Sequence, residues 1–332
     1  MKALVYTGPK QVEYLDFKDP SPTNGEFLVK ITNVGICGSD MHAYLGHDDR
    51  RPAPLILGHE ASGIIEEGEK KGESVVINPL VTCGECDYCL DGRSNLCPKR
   101  QIISMPPRQG AFAEYITMPP KNLIPIPEGL TTTKAALAEP LATAWHAVLT
   151  ASRHSHRPLS ETKGLVIGAG AVGLGSALSL KAFGCKEVSI AETNKLRRKT
   201  AEKSEIGFVV DPTHEGGIKD DTMDIVIDAV GCKESRIAAV KSAKPGSVIV
   251  HVGLLGGVDG FDARRITLQE IVFVGVYTYT MMDFRQTVSA MAEGKLGALD
   301  WFEECSLEEG TKAFSNLFNG NTAAAKIVLK PN

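Results

Sequence analysis

Four closely spaced cysteines are the first residues of this sequence whose types and spacing indicate a chemistry. Cys83, Cys86, Cys89 and Cys97 lie in the stretch TCGECDYCLDGRSNLCP. Four thiolates on a short loop suit the tetrahedral coordination of structural zinc. A ferredoxin-type iron–sulfur site is the alternative, but the C-x3-C spacing that ends its motif differs from the seven residues between Cys89 and Cys97. The spacing therefore favours a closed zinc site that holds the loop together.

A second group combines a thiol, a hydroxyl, a carboxylate and an imidazole on one short turn. Its members are Cys37, Ser39, Asp40 and His42 of the stretch GICGSDMH. A free cysteine is more often a small buried hydrophobe than a reactive group, and a single histidine is often a structural loop residue. These side chains therefore indicate a function only together with the other motifs of the chain.

A glycine-rich turn is the third chemical signal. Gly168, Gly170 and Gly173 form a GxGxxG run between the apolar stretch GLVI and a helical pattern, which is the context that a dinucleotide site requires. Gly168 allows the tight turn, Gly170 lets a pyrophosphate approach the backbone, and Gly173 lets helix and strand pack closely. The helix that begins at Ala171 and Val172 offers free N–H groups and a positive dipole end to the phosphates.

The acidic residue that such a site needs about 20 positions further on is Glu192, in SIAETN. Its carboxylate can accept both hydroxyls of an adenosine ribose and repel a 2′-phosphate, so the sequence favours NAD over NADP. Arg197 and Arg198 lie just beyond and leave NADP open, because an arginine there can accommodate that phosphate. A structural glycine turn with a solvated Glu192 is the remaining alternative.

Two contrasting sequence patterns indicate which secondary-structure elements position these groups. Residues 1–130 contain many Gly and Pro residues and short β-type runs such as FLVKITNVGIC, which predicts a partly antiparallel β domain with long loops. A helical pattern spans about 133–151 and a polar connection follows it. From Lys163 onward apolar β-branched runs alternate with helical patterns, which predicts a parallel sheet covered on both faces. The predicted fold class is therefore α/β.

Composition excludes several classes of protein. The chain has 332 residues, 43% of them hydrophobic, and a formal net charge of -4, so it is long enough for two domains and has no basic footprint for nucleic acid. No apolar run approaches the roughly 20 residues of a membrane span, and the first residues lack a signal-peptide pattern. Clustered cysteines suit metal binding in a reducing compartment. We therefore expect a cytoplasmic protein without nucleic-acid or membrane partners.

Several motifs, in the same order along the chain, resemble those of the zinc-dependent medium-chain dehydrogenases, closest to the sorbitol (polyol) and threonine dehydrogenase branch. The motifs are GICGSDMH, LGHEASG, the four-cysteine loop, GAFAEY, AEPLATAWH and GAGAVG. The resemblance implies a GroES-like β-rich catalytic domain at residues 1–144 and 282–332, with a structural-zinc lobe at about 78–110. It implies a doubly wound Rossmann domain for NAD at residues 145–281.

The resemblance also implies a set of metal ligands. Cys37 and His59 match ligands of the catalytic zinc, and Glu60 either binds this zinc directly or approaches it when the water leaves. Glu139, in AEPLAT, stands where alcohol dehydrogenases carry a cysteine. A glutamate there is a feature of the polyol dehydrogenases, in which it binds zinc directly or through a water. One catalytic and one structural zinc per chain are expected, with an open position for water or substrate at the catalytic one.

Roles for the remaining side chains follow from the same resemblance. Ser39 would hydrogen-bond the substrate oxygen and take its proton, and His42 would pass that proton through the cofactor ribose to solvent. Asp40 would orient the ring of His59 through its other nitrogen. The residues expected to line the nicotinamide end of the cofactor groove are Thr143, Gly231, Gly253 and Leu254.

The implied reaction is oxidation of a secondary, polyol-like alcohol to a ketone by NAD. An anionic substrate, such as a sugar-alcohol phosphate, a hydroxy acid or threonine, is the alternative, followed by a zinc-free reductase and a non-catalytic NAD-binding relative. Arg50 and Arg51 would favour the anionic substrate if they faced the cleft, but their position beside Asp48 and Asp49 is more typical of solvated charges. The apolar stretch EIVFVGVY matches an edge that pairs across a dimer in this family, so a homodimer or homotetramer is expected.

Overall fold

The N-terminal part of the chain is built from short strands. The computed structural model describes residues 1–23, 25–214 and 216–331. The strands of this part are β1 (Lys2–Gly8), β2 (Gln11–Asp16), β3 (Phe27–Gly35), β4 (Leu55–Ile56), β5 (Glu60–Ile65), β6 (Ser74–Ile77), β7 (Leu80–Val81), β8 (Gln101–Ile102), β9 (Tyr115–Met118) and β10 (Leu123–Pro125). Its helices are α1 (Gly38–Tyr44), α2 (Asp87–Leu90) and α3 (Thr132–Ala135). The strands are short because Gly and Pro residues interrupt the apolar runs between them.

The central sheet of this part takes strands from both ends of the chain. Its order is β10-β6-β5-β3-β18-β17, with β9 also paired to β3. The two C-terminal strands are β17 (Phe302–Ser306) and β18 (Lys326–Lys330), and β18 lies antiparallel to β3. This pairing brings the last strand of the chain beside the residues that precede Cys37.

Six parallel strands form a second sheet, in the order β13-β12-β11-β14-β15-β16. They are β11 (Lys163–Ile167), β12 (Glu187–Ala191), β13 (Phe208–Val210), β14 (Met223–Asp228), β15 (Ala243–His251) and β16 (Val272–Gly275). Strand order reverses between β11 and β14. In doubly wound sheets, ligands bind at this point, outside the carboxyl ends of the strands.

Helix α4 connects the two parts and is fixed to both. The helices from here on are α4 (Ala138–His154), α5 (Ala171–Ala182), α6 (Lys195–Lys203), α7 (Lys233–Ser242), α8 (Ala263–Leu268), α9 (Met281–Ala292) and α10 (Gly310–Phe318). Helix α4 buries an alanine-rich face against α5 and α9. A β-carbon on Gly175 would lie 2.8 Å from the Leu141 side chain, so the glycine allows α5 to pack closely on α4 without displacing Leu141.

The structure confirms the predicted α/β class, with a β-rich domain and a doubly wound parallel sheet. The helical pattern predicted over about 133–151 is divided between two helices, since α3 ends at Ala135 and α4 extends from Ala138 to His154. Pro140 explains the interruption, since it has no N–H to donate to the carbonyl of Ala136. Within the described residues, no helix combines the length and hydropathy needed to cross a membrane.

Candidate active site

Asp40 joins the two loops that carry the predicted metal ligands. Helix α1 begins directly after Cys37, and the Asp40 carboxylate accepts hydrogen bonds from the backbone N–H of Cys37 (2.9 Å) and of Gly58 (3.2 Å). Asp40 is fully buried, so each of these bonds is made away from competing water. One carboxylate therefore fixes the loop of Cys37 relative to that of His59, the residue after Gly58.

Cys37, His59 and Glu60 come together, with one potential ligand atom from each lying within 4.8 Å of the others. The His59 ring is held from both sides. Ser39 Oγ lies 3.4 Å from Nε2, and Asp40 Oδ1 lies 3.5 Å from Nδ1. Burial opposes a charge on the His59 ring, but Asp40 and Cys37 outweigh it and raise the pKa of His59 well above its usual value. The negative environment of this ring is also one that attracts a metal cation.

Glu60 shows that this trio fits a metal ion. Its side chain is fully buried, and Oε1 accepts a 2.6 Å hydrogen bond from Lys326 Nζ. Oε2 has no hydrogen-bond partner among the described residues. A buried carboxylate oxygen without a partner is costly, and a cation between Glu60, Cys37 and His59 would satisfy it. Thiolate, imidazole and carboxylate form a donor set that zinc accepts.

Glu139 lies outside this trio. It stands in the first turn of α4, and its Oε1 accepts a 3.0 Å hydrogen bond from the hydroxyl of Tyr279. Burial raises the pKa of the Glu139 carboxyl to about 7, and Glu60 acts in the same direction. The structure therefore brings three of the four predicted ligands within reach of one ion and places the fourth beside them, bound to a tyrosine.

Ser39 and His42 lie on one face of α1, three residues apart. Both line the same cleft as Cys37 and His59. The imidazole of His42 is half-buried, and this burial, followed by the nearby His47, lowers the pKa of His42 below its usual value. A neutral ring at pH 7 can both accept and donate a proton.

The glycine-rich turn adopts the shape that its sequence predicts. A β-carbon on Gly173 would meet the carbonyl oxygen of Gly168 at 1.8 Å, so only glycine permits this contact between helix and strand. Gly170 has open space where a β-carbon would stand, and α5 begins at Ala171. Backbone N–H groups at a helix start with free space before them suit a pyrophosphate.

The Glu192 carboxylate is buried at the end of β12. It accepts hydrogen bonds from the backbone N–H of Ala169 (2.8 Å) and of Asn194 (2.7 Å). Oε1 also accepts a 3.4 Å hydrogen bond from the Thr193 hydroxyl, whereas Oε2 retains a second acceptor position. Glu192 therefore holds the glycine-rich turn and can still bind a ribose through Oε2. Arg198 is engaged with Asp211 and with backbone carbonyls, whereas the buried Nε of Arg197 has no partner among the described residues.

A single cleft of about 1350 Å³ connects the metal trio to the glycine-rich turn. The predicted site residues that line it are Cys37, Ser39, His42, His59, Glu139, Thr143, Gly168, Gly170, Val172, Glu192, Arg197, Gly253 and Leu254. Asp40, Glu60, Ala171, Gly173 and Gly231 lie behind this surface. The groups predicted for metal and for dinucleotide binding therefore face the same space.

The four-cysteine loop forms a second, separate cluster. One sulfur atom from each of Cys83, Cys86, Cys89 and Cys97 lies within 4.8 Å of the others. The Sγ atoms of Cys83 and Cys97 are 3.5 Å apart, much farther than the roughly 2 Å of a disulfide. Backbone N–H groups of Glu85 and Cys86 lower the pKa of the Cys83 thiol to about 6, which favours the thiolate that a metal binds.

Comparison with known proteins identifies the family. Residues 23–128 match the alcohol dehydrogenase GroES-like domain, and residues 171–293 match the zinc-binding dehydrogenase domain. The L-galactonate-5-dehydrogenase of Escherichia coli K12 is 34% identical to this chain over 315 residues, which cover 90% of this chain and 89% of that protein. The chain belongs to the zinc-dependent medium-chain dehydrogenases.

Further relatives support the same assignment and the polyol branch. The sorbitol dehydrogenase of Bacillus subtilis 168 is 29% identical over 350 residues, covering 100% of this dehydrogenase and 98% of the relative. A solved structure described as a short chain alcohol dehydrogenase from Escherichia coli CFT073, complexed with NADH, superposes with a TM-score of 0.88 at 27% identity and covers 99% of each chain. The protein is therefore an oxidoreductase of a family that uses zinc and a nicotinamide cofactor.

Four residues of the dehydrogenase's site could not be identified from its sequence. Ser104 Oγ lies 3.4 Å from His59 Nδ1, on the same side as Asp40. Tyr279 and Lys326 bind the two buried glutamates, as described above. Asp228, at the end of β14, accepts hydrogen bonds from the N–H groups of Val230 and Gly231 and so shapes the turn behind the cofactor groove. The lysine in the otherwise apolar run KIVL was the only sequence signal among them.

The interpretation of Arg50 and Arg51 as solvated charges is wrong for Arg51. Both residues line the cleft, and the side chain of Arg51 is only 2% exposed. Its Nε donates to the carbonyl of Ser104, and its Nη1 donates to Asp48 (2.6 Å). Burial is possible because Asp48 and a backbone carbonyl satisfy the guanidinium group.

Proposed function

We propose that this dehydrogenase oxidises a secondary alcohol of a polyhydroxylated substrate to a ketone and transfers the hydride to NAD. The observation that carries the proposal is the one cleft that joins the Cys37–His59–Glu60 trio to the glycine-rich turn. Sorbitol dehydrogenase and L-galactonate-5-dehydrogenase, both of them similar to this chain, are named for polyhydroxylated substrates. Glu139, in place of a cysteine, supports the same substrate class.

Two zinc sites per chain form part of the proposal. Cys37, His59 and Glu60 would hold the catalytic ion, with Glu139 or a water beside it, and the four cysteines of the 83–97 loop would hold a structural ion. A zinc ion at the first site supplies a Lewis acid for the substrate oxygen. At the second site, four protein thiolates leave no open position, as in structural zinc sites.

The chain's own residues would orient the substrate and move its proton. The Ser39 hydroxyl, held beside His59, would bind the reacting hydroxyl and take its proton. The neutral imidazole of His42, on the same face of α1, would pass this proton to the cofactor ribose and solvent. Thr143 with Gly253 and Leu254 would place the nicotinamide ring against the carbinol carbon and exclude water from it.

Preference for NAD is proposed from Glu192, and Glu192→Ala should test it. The substitution removes the acceptor of the ribose hydroxyls and the charge that repels a 2′-phosphate, so the ratio of kcat/KM for NAD to that for NADP should fall roughly tenfold or more. Steady-state kinetics with both cofactors measure this ratio. Glu187→Ala, at the opposite end of β12 and paired with Lys163, is the matched control. An unchanged ratio in Glu192→Ala would remove Glu192 from the ribose site.

We also propose that the protein is a homodimer or homotetramer in the cytoplasm. Its partner would be a small alcohol substrate, and it would bind neither nucleic acid nor membrane. The edge position of β16 and the exposed apolar side chains that precede it, such as Val258, Phe261 and Leu268, support association through this edge. The clustering of four cysteines in the arrangement of a metal site supports a reducing compartment. Sedimentation of the purified protein would measure its oligomeric state.

The proposed activity is tested by following NADH formation by zinc-loaded protein across neutral polyols, polyol phosphates, sugar acids, threonine and simple secondary alcohols. Turnover of polyhydroxylated substrates is the expected result, because the groups proposed for metal binding, proton transfer and dinucleotide binding face one cleft. Turnover of none of them by protein that binds zinc and NADH would contradict the proposal and favour a non-catalytic relative. Turnover of simple alcohols only would contradict the substrate class.

A further inference from the structure

Two arginines and one aspartate form a charged wall of the catalytic cleft. Asp48 accepts from Arg50 at both oxygens, through Nε (2.8 Å) and Nη2 (3.0 Å), and from Nη1 of Arg51 (2.6 Å). Nη1 of Arg51 also lies 3.4 Å from the carbonyl oxygen of Ser39, whose hydroxyl faces His59. Arg51 is therefore linked to the metal trio through one residue, Ser39.

The charges of this wall do not balance. Two guanidinium groups share one carboxylate, and the side chains of Asp48 and Arg51 are 7% and 2% exposed. Glu139 is the other carboxylate that the β-rich part and the start of α4 contribute to the described cleft lining, and it is bound to Tyr279. The one positive charge in excess is that of Arg50, whose side chain lines the cleft and is 62% exposed.

Both arginines also keep donors available. Among the described residues, neither Nη1 of Arg50 nor Nη2 of Arg51 has a hydrogen-bond partner, although both residues line the cleft. Asp48 and two backbone carbonyls satisfy the buried Arg51. The side chain of Arg50 is 62% exposed, so water occupies its free N–H group until an acceptor in the cleft replaces it.

We propose that Arg50 and Arg51 bind a carboxylate of the substrate, which makes the substrate a polyhydroxy acid. This inference rests on the proposed function and narrows its substrate class: the CH–OH group that loses hydride to NAD and a proton to Ser39 belongs to a molecule that also carries a carboxylate. A guanidinium fork matches the two oxygens of a carboxylate. Asp48 holds both arginines in place so that little side-chain freedom is lost on binding.

A carboxylate fits this wall better than a phosphate monoester does. The wall has one positive charge in excess, which one carboxylate neutralises. A phosphate monoester carries about −1.5 to −2 charges at pH 7 and would leave negative charge next to Asp48. A neutral polyol would offer the guanidinium of Arg50 no opposite charge. The charge balance therefore favours a monoanion.

The test compares substrates that share a carbon chain and differ in one end group. The probes are the hexitols sorbitol and galactitol, the hexonates D-gluconate, L-idonate and L-galactonate, and sorbitol 6-phosphate. For wild-type enzyme with NAD, kcat/KM should be highest for a hexonate. Arg50→Gln should lower kcat/KM for hexonates roughly tenfold or more, chiefly through KM, and should leave the hexitols nearly unchanged. Arg50→Lys should recover part of the loss because it restores the charge.

Arg93→Gln is the matched control for this experiment. Arg93 also donates to an aspartate two residues earlier, Asp91, but it does not line the cleft. The control should behave like wild type with every probe. An equal loss on hexonates and hexitols in Arg50→Gln, or a wild-type preference for hexitols or for sorbitol 6-phosphate, would overturn the carboxylate site while leaving the dehydrogenase function intact.

Calorimetric titration of hexonates into the NADH-bound protein separates the two proposals. Binding that weakens in Arg50→Gln, together with turnover of a hexonate, supports both. The same binding without turnover of any probe would support the carboxylate site and overturn the proposed oxidation. Neither binding nor turnover of hexonates, with turnover of hexitols, would overturn the carboxylate site alone.

Discussion

Cys37→Ser should lower kcat by roughly 10³-fold or more, because a Lewis acid contributes several kcal/mol to stabilising the charge that develops on the substrate oxygen. Serine keeps the size of the side chain but presents a hydroxyl where a thiolate stood, and zinc retention at the Cys37–His59–Glu60 trio should fall with it. Zinc content after dialysis and steady-state turnover measure the two effects. Binding of NADH, followed by its fluorescence, should remain nearly unchanged.

The separation of the two sites explains why cofactor binding should survive. Cys37 caps α1 in the β-rich part, whereas the dinucleotide turn lies between β11 and α5 of the parallel sheet. Cys305→Ser is the matched control, since Cys305 lies on β17 outside both cysteine clusters. Loss of NADH binding in Cys37→Ser equal to its loss of zinc would contradict separate metal and cofactor sites, provided that Cys305→Ser keeps both.

Local patterns explain why the dinucleotide turn could be predicted from the sequence. The functions of Gly168, Gly170 and Gly173 depend on neighbours within a few residues, and Glu192 follows at a spacing fixed by one strand–helix–strand unit. The alternation of elements similarly predicted the parallel sheet. Local patterns were not sufficient for Cys37 and His59, because only the resemblance to a family assigned these two residues to one metal ion. Their joint fixation by Asp40 is a property of the folded chain.

Contacts between distant segments could not be predicted in this way. Tyr279 is 140 residues from Glu139, and Lys326 is 266 residues from Glu60. The hydrophobic periodicity of a sequence does not indicate which side chain of a late segment contacts which side chain of an early one. The prediction for Arg51 failed for a related reason. A run of Asp and Arg residues is typical of solvent-exposed charge, but here the Ser104 carbonyl and Asp48 allow the Arg51 side chain to be buried.

Lys326→Met should destabilise the zinc-depleted protein by about 3–5 kcal/mol, the cost of leaving one member of a buried ion pair without its partner. Lys326 Nζ is the hydrogen-bond donor to Glu60, and it also donates to the carbonyl of Ile36. A β-carbon on Gly35 would stand 2.2 Å from Glu60 Oε2, so β3 packs tightly against the carboxylate on that side. Methionine fills a similar volume without supplying a charge.

Zinc should reduce this loss of stability, because an ion beside Glu60 provides the positive charge that Lys326→Met removes. Urea unfolding with chelator and with saturating zinc measures the two free energies of unfolding. Lys330→Met is the matched control: Lys330 lies on the same strand, is half exposed and pairs with Glu304 at 3.5 Å, so its loss should stay within about 0.5 kcal/mol. Two outcomes would contradict this prediction: a loss of stability in Lys326→Met as small as that of the control, or a loss that is the same with and without zinc. Either would show that the charge of Glu60 is not shared between Lys326 and the metal. A zinc-dependent loss would instead tie the last strand of the chain to the metal site through one buried carboxylate.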